Sequence, residues 1–206
     1  MTIFDMEKDD LLRLSDTQLE ELLARLAEAE VAANGHSPAW VSWSGSINAP
    51  DGGIDIHVQI PVAQLNTGFL ERADTILQAK KHSMPNGAIT KEMTTNGVLT
   101  ATISEQASKG GSYIIVSLND DCSPTMMKDH LAAMRNAVKD DTCGSNIHLD
   151  FYDRSKLIQW LRQHPCHAVG QGKARSGILR LAAIRGLEQS TTRCHRYSYF
   201  CPWSDD

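Results

Sequence analysis

The sequence predicts an α/β fold: a mixed central sheet flanked by helices, in the order helix, three strands, helix, strand, helix, strand, helix. Three observations carry this. Residues 11–33 place leucines at helical spacing. Ile54, Ile56 and Val58 alternate with Asp55, His57 and Gln59, and residues 75–81 form a second strand-like stretch. Two further apolar runs, 113–118 and 147–152, then alternate with segments of helical period.

Taken in order, the first helix has Ser15 or Asp16 as its cap and Leu19, Leu22, Leu23, Leu26 and Ala27 as its apolar stripe. Glu20, Glu21, Arg25, Glu28 and Glu30 make up the opposite face, and Gly35 ends the helix. Residues 40–44 read as the first strand, and the turn-rich 44–53 leads into the second. Residues 61–73 are expected to cross the sheet edge before the third strand. After Lys81 comes a loop, a helix start at 89–93, and a helix over 98–109 on Leu99, Ile103 and Ala107. Gly110 and Gly111 end it. The run 113–118 is a buried strand, and Ser123 with Pro124 opens the next helix as an N-cap followed by proline at N1. The last strand is 147–152. Asp153 caps a helix striped by Leu157, Ile158, Trp160 and Leu161, which Pro165 terminates.

At 206 residues, with 41% hydrophobic and 22% charged residues, the chain fits one soluble globular domain. A net charge of −5 gives no global basic field, although a nucleic-acid channel needs only local positive charge. Five cysteines, an odd number without CxxC spacing, support neither a disulfide framework nor a zinc site. There is no secretory signal and no apolar run of about 18 residues. A cytoplasmic protein with no membrane partner is expected.

The chemistry concentrates between Trp43 and Lys81. In Gln78-Ala79-Lys80 the glutamine and lysine share one face, so pairing of the two strands brings Asp55 beside both. A carboxylate and a second oxygen can bind a hard cation, and a nearby ammonium can offset charge on a phosphate under attack. With Asp51-Gly52-Gly53-Ile54-Asp55 followed by Gln78-x-Lys80, the chain resembles the PD-(D/E)XK nucleases of restriction endonuclease-like fold, in their Mrr-like branch. The resemblance covers about residues 11–165. It implies a Mg²⁺- or Mn²⁺-dependent endonuclease acting on double-stranded DNA. Asp55 is then the metal-binding acid, Gln78 the second metal ligand at the usual Asp/Glu position, and Lys80 the catalytic lysine. Glu20 matches the acid that the first helix of such nucleases points at the metal, although an acidic helix face is also simply a solvated one. A homodimer or larger assembly is implied, because double-strand cutting uses two sites.

Residues 14–22, the Asp-Gly-Gly-Ile-Asp strand, Phe151-Tyr152-Asp153, Trp160 and His164-Pro165 also resemble the N-terminal nuclease domain of bacterial antiviral STAND-type NTPase defence proteins. No P-loop is present, so the resemblance implies an effector domain without its NTPase and sensor regions. Residues 1–165 form the expected nuclease domain. Residues 166–206 form an irregular tail with six Lys/Arg against three Asp/Glu, which reads as a basic DNA-contacting segment or as out-of-frame sequence. The latter is preferred, because synonymous codons with one nucleotide dropped recreate a stretch resembling the segment after His-Pro in those relatives. A function of another class also fits the residues: a non-catalytic DNA-binding or protein-interaction module retaining the fold, favoured by the neutral Gln78 and the acidic net charge.

Overall fold

The computed structural model describes residues 11–43, 54–61 and 68–164. The Asp51-Gly52-Gly53 stretch, residues 62–67 of the connection after Pro61, and the tail with its frame assignment lie outside the described residues.

Helix α1 (Asp16–Ala33) starts at a capping box: Ser15 Oγ accepts from the Gln18 backbone, and the Gln18 side chain accepts from the Ser15 backbone. A short 3₁₀ turn leads to β1 (Val41–Trp43), followed by β2 (Ile56–Gln59) and β3 (Asp74–Lys80). Then come α2 (Asn86–Met93), a hairpin of β4 (Thr94–Thr95) and β5 (Val98–Leu99), and α3 (Ala101–Ser108). β6 (Ser112–Ser117), α4 (Pro124–Val138), β7 (His148–Tyr152) and α5 (Arg154–Gln163) complete the described chain.

The main sheet is mixed and five-stranded, in the order β1-β2-β3-β6-β7. β1, β2 and β3 pair antiparallel, whereas β3, β6 and β7 are parallel and joined through helices, as parallel connections require. Every residue of β6 is buried, and its side chains divide between two cores. Ile114 and Val116 pack with the leucines of α1 and with Leu157, Trp160 and Leu161 of α5. Tyr113 and Ile115 pack with Ile89 and Met93 of α2, Ile103 and Ala107 of α3, and Met134 and Val138 of α4. The connection into β3 inserts Phe69 into the first core, stacked on Trp160 with ring centroids 5.4 Å apart. No described helix is long and apolar enough to cross a membrane, and Cys122 and Cys143 carry free thiols.

Two details depart from the sequence reading. Val98 and Leu99 belong to the hairpin and not to a helix, which begins only at Ala101 after the Thr100 cap. Asn96 and Gly97 take φ of 53° and 79°, the pair of positive angles that a two-residue hairpin turn demands. Secondly, the acidic face of α1 is not all solvated. Glu30 is 3% exposed, accepting from Trp160 Nε1 at 2.8 Å and lying 2.5 Å from His164 Nε2. Glu20 is buried as well. A buried carboxylate is tolerated when donors replace water, and α5 brings those donors to Glu30.

Candidate active site

Side chains alternate along β3, so Asp74, Ile76, Gln78 and Lys80 share one face, and Ile76 fixes it as the side covered by α2, α3 and α4. β2 runs antiparallel with Ile56 opposite Leu77, so Asp55, one residue ahead of β2, arrives opposite Gln78. The two touch. Gln78 Nε2 donates to Asp55 Oδ2 at 2.8 Å, and the Ala79 backbone N–H donates to the same oxygen at 2.7 Å.

Lys80 ends the strand, and its Nζ lies 2.9 Å from Oε1 of Glu92 on α2. Burial pushes the Asp55 carboxyl up to about 6, opposed by the Ala79 hydrogen bond and the Lys80 charge and reinforced by the charges of Glu20 and Glu92. The same acids bear on the next strand: burial first, then the charges of Glu92 and Asp55, push the Tyr113 hydroxyl upward. The charges of Lys80, Glu20 and Glu92 therefore all bear on the Asp55 carboxyl, and those of Glu92 and Asp55 on the Tyr113 hydroxyl.

Gln78 is 3% exposed, and its Oε1 is buried without a hydrogen-bond partner. A buried carbonyl oxygen left unpaired costs roughly 1–3 kcal/mol, so this atom stands out against the usual satisfaction of interior polar groups. Gln78 meets Asp55 through its nitrogen; with the amide turned over, its oxygen and the carboxylate would form a donor set that fits a hard divalent cation. Among the described residues, no three His, Cys, Asp or Glu side chains group closely enough to cage a metal on their own. Mg²⁺ does not need such a cage, because it retains several waters and takes one or two carboxylates.

Of the residues singled out from the sequence, Asp55 and Gln78 are in direct contact. Lys80 and Glu20 act on Asp55 through their charges. Glu92 was not foreseen. It belongs to no motif with Lys80, and only the fold of α2 back onto the sheet brings the two together. The other end of the same strand face holds a second cluster. His57 Nε2 lies 2.7 Å from Asp74 Oδ1, and Gln106 Nε2 donates to that oxygen at 2.8 Å and to the Asp74 carbonyl at 2.7 Å.

Comparison of the chain with family models, with curated proteins and with solved structures gives no match.

Proposed function

We propose that this protein is a metal-dependent DNA endonuclease whose α/β sheet is a restriction endonuclease-like core. Asp55, Gln78 and Lys80 are its catalytic residues. The observation that carries the reading is the direct meeting of Asp55 and Gln78 on adjacent strands, with Lys80 two residues on along the same face. The orphaned Gln78 Oε1 adds to it, since hydrolysis of a phosphodiester asks for an oxygen-lined cation site next to an ammonium.

In this reading Asp55 and Gln78 Oε1 hold Mg²⁺ or Mn²⁺, and Glu20 adds negative charge from α1. When bound, such an ion polarises the phosphate and acidifies a coordinated water. Asp55 must give up its proton to serve, which its pKa near 6 allows at neutral pH. Gln78 must turn its amide so that oxygen instead of nitrogen faces the carboxylate. Lys80 Nζ orients the attacking water and offsets the charge that accumulates on phosphorus. The partners proposed are double-stranded DNA and a second copy of the chain, and the setting is a bacterial defence or restriction system.

The test is cleavage of plasmid DNA across a Mg²⁺ or Mn²⁺ titration with an EDTA control. Asp55→Ala and Lys80→Ala should each cost about 3 kcal/mol or more of transition-state stabilisation, by comparison with single oxyanion-stabilising groups. Variants that cut as well as wild type would remove the site assignment. One observation favours a second reading, a non-catalytic DNA-binding or protein-interaction module. The Gln78 amide already closes on Asp55 through its nitrogen, as a purely structural pair would. Calorimetry with Mn²⁺ separates the two. The enzyme binds the ion and loses it in Asp55→Asn, whereas the module shows no difference.

A further inference from the structure

We propose that Glu92 is a positioning residue of the Asp55–Gln78–Lys80 site, holding the Lys80 ammonium beside Asp55 so that both act on one phosphate group. The phosphate rests on the nuclease reading above; the positioning rests on geometry alone. Lys80 is the last residue of β3, and its long stem gives the ammonium many places to go. Glu92 Oε1 selects one of them, at 2.9 Å.

Glu92 can do this because α2 is fixed. Ile89 and Met93, on adjacent turns beside it, are fully buried against the same sheet face as Ile76. The chain between Lys80 and α2 is tied down as well, since the Met84 backbone N–H donates to buried Asp120 at 2.8 Å. The Lys80 and Glu92 side chains keep exposures of 26% and 28%, and an ion pair so open to water adds little to stability. Its consequence is local: the long lysine side chain loses its freedom next to the reacting position. Gln78 and the Ala79 N–H donate to Asp55 from its own sheet, and Lys80, Glu20 from α1 and Glu92 from α2 bear on it through their charges.

The experiment compares Glu92→Gln and Glu92→Asp with the wild-type chain. Amine NMR of Lys80 is recorded beside the kinetics of plasmid cleavage with Mn²⁺. In Glu92→Gln the Lys80 signal should average as its ammonium is released. Cleavage should lose about tenfold in kcat with KM for DNA little changed, and Glu92→Asp should recover most of it. An unchanged Lys80 signal overturns the proposal. So does an unchanged kcat in a wild type that cuts, and the nuclease reading then survives without it. If wild type cuts no DNA, the nuclease reading falls. Glu92 is then judged by NMR: a Lys80 signal released in Glu92→Gln and held again in Glu92→Asp upholds its positioning role, and an unmoved signal ends it.

Discussion

Strands β2 and β3 carry two carboxylates on one face, and the two ends treat them in opposite ways. At one end burial pushes Asp74 up, but hydrogen bonds from His57 and Gln106 and the nearby charges outweigh it and hold the carboxyl below its usual range. At the other end burial dominates, and Asp55 rises to about 6 although Lys80 and the Ala79 N–H pull against it. Asp74 has donors enough to be content as an anion. Asp55 has two donors on one oxygen, two acids nearby, and an amide whose own oxygen is orphaned. An interior that satisfies one carboxylate and leaves its neighbour wanting a proton or a cation distinguishes a structural network from a candidate site.

Mutation should separate the two ends cleanly. If the protein is the proposed nuclease, Asp55→Ala should abolish cleavage, a loss of at least about 100-fold, whereas Asp74→Ala should leave the rate within a few-fold of wild type. Stability answers the other way. Asp74→Ala strands the His57 ring and leaves the Gln106 amide only backbone carbonyls to donate to, and urea unfolding at pH 7 should show a loss of about 1–3 kcal/mol. The sign in pH follows from the lowered folded pKa. The Asp74 contribution is fully present above its unfolded value and fades as pH falls through the folded one, so wild type and Asp74→Ala should converge in acid. Were Asp74→Ala to stop cleavage in a folded protein, the division of labour between the two ends would be wrong.

A smaller effect tells the ends apart through protons. The Asp55 carboxylate, with its midpoint near 6, must be ionised to hold a cation. Mn²⁺ affinity measured by calorimetry should therefore rise by about an order of magnitude from pH 5 to pH 7, then level off. A flat profile would mean that Asp55 is not the group releasing a proton.

Much of the fold was legible because it is written locally. Ser123-Pro124 and Asp153 open α4 and α5 as their capping chemistry requires. The alternation of Ile54, Ile56 and Val58 placed Asp55 on the face where Gln78 lies, and the α/β class with a mixed sheet followed from the run of strands and helices. The hairpin was legible too, in Asn96-Gly97, but the helical spacing of Leu99, Ile103 and Ala107 masked it. The buried acids were not. Glu30 sits on the polar side of a helix by pattern, and its partners Trp160 and His164 lie 130 and 134 residues further along the chain. Glu92 is hidden for the same reason: only tertiary packing of α2 places it at Lys80.

The smallest expected effect is a gain. In the folded protein Asp55 is held near 6, against an ordinary value of 3.8, so above pH 6 the fold carries a carboxylate that burial disfavours. Asparagine keeps an oxygen to accept from Gln78 and Ala79 and carries no charge. Asp55→Asn should therefore stabilise the cation-free protein at pH 8 by on the order of 1 kcal/mol, allowing for the partial exposure of the group to solvent. For a group whose folded pKa is raised, the penalty is absent below the unfolded value, grows as pH climbs from about 4 to about 6, and is complete above that. Thermal unfolding of the two proteins in EDTA should thus coincide near pH 4 and separate by a few degrees at pH 8. Saturating Mn²⁺ should reverse the order, since wild type gains a ligand that the variant cannot hold. If Asp55→Asn is no more stable than wild type at pH 8 without metal, Asp55 is as well satisfied as Asp74, and the contrast between the two ends of the strands disappears.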